Sequence, residues 1–422
     1  MLIHVVRPGD SIPALATRYG VDPARLATDN SVPPDGALAI GQTLVVQFPR
    51  EIHTVRPGET LTAIAARYGL SVRALLGNNW QLQGNADLRP GQMLVLSYFN
   101  DPLGEAVLNG YAYPFIDPAL LTATLPYLTH LSPFTYGITA DGSLLPLPDE
   151  ALLTAARAAD TAPLLHLSTL TESGQFSSDR ATLVLTDAAA QDRLVARLLQ
   201  TLQEKAYDGV DVDFEYIPPA QKDAYAAFLR RLRKELAPLP LWTALAPKTA
   251  ANQRGLLYEA HDYAALGAAA DRILLMTYEW GYTAGPPMAV APLPKVRAVL
   301  DYAVTEIPAH KLLLGVPNYG YDWQLPFAEG ITRAQSLSNQ RAIQLAIAHG
   351  SAIQYDETAQ APYFYYRDNQ GAAHVVWFED ARSLEAKLRL IPAYGFAGAG
   401  IWNIMRPFSQ LWLVANALLT QA

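Results

Sequence analysis

The chain has 422 residues, half of them hydrophobic and 17% charged, with a net charge of −8. Such a length calls for two or three domains with real cores and excludes a disordered chain, while the acidic balance argues against a nucleic-acid binder, which needs clustered Lys and Arg. With no cysteine, disulfides, Cys-ligated zinc and a thiol nucleophile are excluded. No apolar run approaches the roughly 18 residues of a membrane span. The stretch Met1 to Pro8 lacks the basic start and apolar core of a signal peptide, so the expectation is a protein not exported by that route, or one whose signal has been removed.

The first hundred residues contain a duplication. Ile3-His4-Val5-Val6-Arg7-Pro8-Gly9-Asp10-Ser11 recurs as Ile52-His53-Thr54-Val55-Arg56-Pro57-Gly58-Glu59-Thr60. Arg18-Tyr19-Gly20 recurs as Arg67-Tyr68-Gly69, Asn30 as Asn79, and Gly41-Gln42-Thr43-Leu44 as Gly91-Gln92-Met93-Leu94. Each unit reads strand, helix, helix, strand. Arg-Pro-Gly turns the first strand, Asp10-Ser11 or Glu59-Thr60 can cap the next helix, and Gly20 or Gly69 can close it in a left-handed C-cap.

This order of segments resembles the LysM domain over residues 1–48 and 50–98. The resemblance implies binding of N-acetylglucosamine-containing glycan, peptidoglycan or chitin. It implicates Gly9, Asp10 and Ser11 with Asn30 to Pro33, and Gly58, Glu59 and Thr60 with Asn78, Asn79 and Trp80. The competing reading is that these residues only cap helices and shape turns. Pro13 and the Pro33-Pro34 pair set the first unit apart.

From Pro102 onward, short apolar runs alternate with amphipathic helical stretches. Candidate strands are 107–113, 130–136, 164–169, 209–216, 241–246, 273–278, 311–319 and 399–404. Eight strands separated by helices suit a (β/α)8 TIM barrel over 102–422. A doubly wound sheet is the alternative, but no Gly-x-Gly-x-x-Gly follows the first strand. Between strands seven and eight, pieces at 351–355, 363–366 and 374–378 and a helix at 332–349 predict a small α/β insertion over about 321–377. The whole is an α/β chain: a TIM barrel with one insertion, preceded by two βααβ units.

The fourth strand carries Asp208-Gly209-Val210-Asp211-Val212-Asp213-Phe214-Glu215. Alternation puts Asp211, Asp213 and Glu215 on one face and Val210, Val212 and Phe214 on the other. Neighbouring carboxylates raise one another's pKa, and burial raises them further, which serves a proton donor near neutral pH. A solvated acidic edge strand is the plain alternative. A calcium loop is disfavoured, because its alternate positions would need oxygen ligands where Val and Phe stand.

Asp-Gly-x-Asp-x-Asp-x-Glu resembles the motif of glycoside hydrolase family 18, the chitinase-like enzymes. The resemblance implies a retaining, substrate-assisted glycosidase in which the 2-acetamido oxygen of the sugar attacks its own anomeric carbon. It assigns Glu215 as acid/base, Asp213 as partner of the acetamido N–H, Asp211 as the residue paired with Asp213, and Tyr278 as donor to the acetamido carbonyl. Asp208 and Gly209 read as structural. Met276-Thr277-Tyr278-Glu279-Trp280 resembles the family's Met-x-Tyr-Asp segment, with Glu279 where Asp is commoner. Trp402 would floor the cleaved sugar's site across a cis peptide to Asn403, with Tyr216, Met276, Trp280 and Tyr319 as further substrate contacts; core filling is the rival reading for each aromatic. No metal or cofactor is expected.

Two LysM-like units on this barrel resemble bacterial spore-cortex N-acetylglucosaminidases, which implies peptidoglycan as partner and the spore as location, with secretion or the cell wall as the alternative. No nucleic-acid, membrane or obligate protein partner is expected. The rival functions are a chitinase and a non-catalytic, lectin-like or spore-coat protein. Lectin-like relatives usually lose the terminal Glu that stands here at Glu215.

Overall fold

The computed structural model describes residues 1–33 and 36–421; Pro34, and with it half of the Pro33-Pro34 pair, lies outside them. Each N-terminal unit is two helices on a two-stranded antiparallel sheet: Leu2–Val5 with Thr43–Val46, and Pro49–Thr54 with Met93–Tyr98. Ser11 and Thr60 accept from Ala14 N and Ala63 N as N-caps, and Gly20 and Gly69 close the helices at φ +67° and +66°. Pro13 falls in the first turn, where its missing N–H costs nothing.

Asp10 and Glu59 are not helix caps. Asp10 accepts from Arg7 N and meets His4 Nε2 at 2.9 Å; Glu59 repeats this with Arg56 N and His53 Nε2 and adds Arg67. Backbone and side-chain donors hold both carboxyls below their usual range. These side chains lock the Arg-Pro-Gly turn onto the first strand.

Residues 102–421 form the barrel. Its strands are Gly104–Ala112, His130–Pro133, Leu165–Ser168, Val210–Asp213, Leu241–Leu245, Arg272–Leu275, Leu312–Pro317 and Gly398–Trp402. They pair in parallel in the order three to eight, then one and two. A parallel bridge between Tyr136 and Leu167 joins strand two to strand three. These strands are buried on both faces, which is why they are so apolar.

Strand four shows the logic. Val210 and Val212 face outward, and Phe214 stacks on Tyr225 and Phe228 of helix Lys222–Leu236 at 5.7 and 5.5 Å. Gly209 is demanded by space: a Cβ there would sit 2.8 Å from Pro240 O. The strand ends at Asp213, short of the predicted 216. Pairing stops, Tyr216 turns to φ +55°, and Glu215 rides on the loop that leaves the sheet.

The insertion is a five-stranded antiparallel sheet with helix Asn339–Ala348. It starts at Gly320, because Gly320–Leu325 is a strand of this sheet rather than the tail of barrel strand seven. A short strand, Gln335–Leu337, occupies what was expected to be the helix start. Trp323 is fully buried and donates from Nε1 to Gly285 O at 2.9 Å, tying the insertion to the loop after strand six.

The N-terminal units are bolted to the barrel. In the first, Thr43 Oγ1 donates to Gln410 Oε1 (2.8 Å) and Ser31 Oγ meets Ser409 Oγ (3.0 Å). In the second, Tyr127 OH donates to Gly77 O, Asn416 Nδ2 to Asn78 Oδ1, and Trp80 lies against Tyr127. Arg25 links the two units, its Nη2 donating to Asn78 O and Tyr98 OH at 2.7 Å each.

Asn30 and Asn79 are buried and spent on these cores. Asn30 Nδ2 donates to Leu26 O and Val45 O, and its Oδ1 accepts from Val45 N. Asn79 does the same with Leu75 O, Val95 O and Val95 N. Both side-chain amides are engaged within the protein, which favours a structural role for them over glycan contact. Gly9, Ser11, Gly58 and Thr60 remain exposed.

Candidate active site

The carboxyl ends of the barrel strands open into a cleft of 470 Å³ lined by Asp213, Glu215, Tyr216, Met276, Tyr278, Trp280 and Trp402, among others. Eight of the nine catalytic and substrate candidates therefore gather in or under one site. Asp211 lies one layer beneath, fully buried. Tyr319 lines a recess that opens beside Trp402 and accounts for the ninth.

Asp211 Oδ2 accepts from Tyr111 OH at 2.8 Å and from Ser132 Oγ at 3.4 Å. Its Oδ1, like Oδ1 of Asp213, is buried without a hydrogen-bond partner. Burial pushes the Asp211 carboxyl up to about 6. Asp213 is driven well above the carboxylate range by burial first, then by Glu215 and Asp211. Its Oδ2 stands 3.8 Å from His166 Nε2, but burial holds His166 down at about 3, so the ring is neutral and offers no ion pair. His166 is instead fixed by Thr135 Oγ1 at 2.7 Å.

Glu215 is half-buried at the cleft wall. Burial, and then the charge of Glu279, raise it to about 7. A carboxylic acid of that strength is poised for proton transfer near neutrality. Tyr278 is buried beside it, its phenol pushed well above the ordinary range by burial, then by Asp213 and Glu215. Glu279, at φ +65°, accepts hydrogen bonds from Tyr319 OH and Tyr321 OH.

Trp402 rests on a nest of aromatics: Phe134 at 4.8 Å, Tyr111 at 5.9 Å and Tyr113 at 6.3 Å between ring centroids. The Trp402–Asn403 peptide is cis. Tyr113 stacks in turn on Phe115, which is 77% exposed, so an aromatic path leads out of the cleft. Tyr111, Ser132, Tyr113, Phe115 and Phe134 were not singled out from the sequence. The alternation Tyr111-x-Tyr113-x-Phe115 at the end of strand one was the available signal.

The family model described as glycosyl hydrolases family 18 matches residues 166–406, and the LysM domain model matches 4–47 and 53–97. A cortical fragment-lytic enzyme of Bacillus subtilis (strain 168) is 38% identical over 427 residues, covering 99% of this chain and 97% of that protein. The crystal structure of the spore cortex-lytic enzyme SleL of Bacillus megaterium QM B1551 is similar over 100% of this chain and 98% of its own, at a TM-score of 0.83 and 37% identity. A chitinase structure from Chromobacterium violaceum, 28% identical with a TM-score of 0.68, covers 74% of this chain and 98% of its own. A parallel barrel with acidic residues at the mouth of strand four, a matching family model and full-length relatives agree: the chain is a glycosidase that belongs to glycosyl hydrolase family 18 and carries two LysM domains ahead of its barrel.

Proposed function

We propose that this enzyme cleaves β-1,4 bonds of the N-acetylglucosamine-containing glycan of spore cortex peptidoglycan during germination, with retention and with assistance from the substrate. The observation that carries the chemistry is Asp213: a buried carboxyl beside Glu215 with one oxygen lacking a partner. That oxygen suits an acetamido N–H. Tyr278 OH donates to the acetamido carbonyl and turns its oxygen toward the anomeric carbon. As that oxygen attacks, Glu215 passes its proton to the glycosidic oxygen and the leaving sugar departs. The oxazolinium carries positive charge; Asp213 offsets it as an anion once its proton passes to Asp211 beneath it, which Tyr111 and Ser132 hold. Water then gives a proton to Glu215 and attacks the anomeric carbon from the face the leaving sugar vacated, breaking its bond to the acetamido oxygen and restoring the original anomeric configuration.

Cortex is favoured over chitin because the resemblance to cortical fragment-lytic enzymes spans both LysM units and the barrel, whereas the chitinase match covers 74% of the chain. The LysM units hold the enzyme on glycan strands, with Gly9, Ser11, Gly58 and Thr60 as exposed contacts. A spore location follows from the same relatives. The test is a digest of purified cortex fragments beside chitin, read by mass spectrometry. Cortex products ending in N-acetylglucosamine are expected. Cleavage of chitin alone would favour the chitinase, and cleavage of neither would favour a binding protein.

A pH profile tests the proton economy. The acid form of Glu215 is required, so kcat/KM should fall as pH rises through about 7. Glu279 raises that value by like charge, so Glu279→Gln should move the alkaline limb to lower pH. An unmoved limb would remove Glu279 from the electrostatics of the acid.

A further inference from the structure

Beside Trp402 a recess of 100 Å³ opens between the barrel and the insertion, lined among others by Tyr319, Tyr321, Glu279, Asn403 and Arg406. The recess is much smaller than the 470 Å³ cleft, which suits a substituent on a sugar better than a further run of rings. It joins the cleft at two shared residues, Trp402 and Glu279. Whatever fills it is therefore attached to a sugar bound at or next to Trp402.

Arg406 is the unusual member. Its backbone is pinned, with Asn318 Nδ2 donating to Arg406 O at 2.9 Å. Its guanidinium makes no ion pair or hydrogen bond among the described residues, and Nη1 is buried without a partner. The groups that act on its charge are the phenols of Tyr321 and Tyr319, which are neutral at pH 7. Glu279, on the same recess, already accepts from those two hydroxyls and does not pair with Arg406. A half-buried guanidinium with donors unmet is costly unless a ligand supplies the anion, and a carboxylate matches its planar fork.

We propose that Arg406 receives the carboxylate of an ether-linked lactyl group on the glycan, so that the recess selects N-acetylated strands bearing such acidic sugars over plain N-acetylglucosamine polymers. This rests on the function proposed above and sharpens it: the catalytic groups recognise the acetamido group, and Arg406 recognises the acid. Tyr321, from the insertion's first strand, walls the recess.

The experiment uses the full chain with Glu215→Gln, expected to bind with turnover lowered about 10³-fold, and two probes of equal length. One is a peptide-free glycan alternating N-acetylglucosamine with its lactyl-bearing counterpart. The other is the same glycan with each lactyl carboxylate reduced to the alcohol. Calorimetry should show the acidic glycan binding at least about tenfold more tightly. Adding Arg406→Met should collapse that ratio toward one, and Arg406→Lys should restore part of it. Equal affinities in Glu215→Gln, or a ratio that survives Arg406→Met, would overturn the assignment of Arg406 alone. Should Arg406→Met not fold, the two-probe ratio and the Lys variant still decide. Failure to bind either N-acetylated glycan would overturn the functional reading and this inference with it.

Discussion

Replacing Glu215 by Gln is expected to lower turnover by about 10³-fold while leaving the fold and glycan binding in place. The amide keeps the size and can still donate a hydrogen bond, but it cannot deliver a proton to the glycosidic oxygen or take one from water, and general acid catalysis is worth about 10²–10⁴. The same substitution should change stability with the opposite sign. The folded pKa of Glu215, about 7, lies above its ordinary value of 4.5. The native state then holds a proton that the unfolded chain releases, so wild-type stability declines as pH rises from about 4.5 through 7. Gln does not titrate. Relative to wild type, Glu215→Gln should gain on the order of 2 kcal/mol between pH 5 and pH 8, allowing for partial exposure of the carboxyl. Denaturant titrations at the two pH values check this. Near-normal turnover would remove Glu215 as the acid, and a pH-independent stability difference would mean its surroundings do not favour the protonated form.

Asp213→Asn is the second large effect, at about 10²-fold in kcat. Asn can still accept the acetamido N–H through its carbonyl, so substrate affinity should change little. The negative charge that offsets the oxazolinium is gone, and that charge matters only as the transition state forms. The loss should therefore fall on kcat rather than KM. It should also move the alkaline limb of the pH profile, because the like charges of Asp213 and Glu215 act on each other. Steady-state kinetics across pH would show both. A rise in KM with kcat unchanged would make Asp213 a ground-state contact instead.

Much of this was legible in the sequence, and the limits have physical causes. The acidic alternation of strand four marked the site because a face of carboxylates on a buried strand is too costly to be incidental. It overran the strand, since alternation does not report where sheet pairing stops: Phe214 still packs on its helix while the chain turns away at Tyr216. Duplication in the LysM units pointed to their fold, but recurrence alone does not separate glycan contacts from structural residues. Asn30 and Asn79 recur because each amide ties a helix end to a strand, and Asp10 and Glu59 recur because each clamps a turn. The insertion was expected from about 321, and the antiparallel pairing of Gly320–Leu325 with Gln335–Leu337 and Ala373–Trp377 makes this segment its first strand. Arg406 carries no local pattern at all. Its interest arises from Tyr319, Tyr321 and Trp402, which are distant in the chain and adjacent in space.

In this mechanism the substrate's own acetamido group is the nucleophile. The most direct measurement is proton NMR of the wild-type enzyme acting on matched glycans, one N-acetylated and one with the acetyl group removed from the sugar at the cleaved bond. The N-acetylated glycan should release product as the β-anomer first, and its free-amine counterpart should not be cleaved. Initial release of the α-anomer, or comparable cleavage of the free-amine glycan, would contradict substrate assistance.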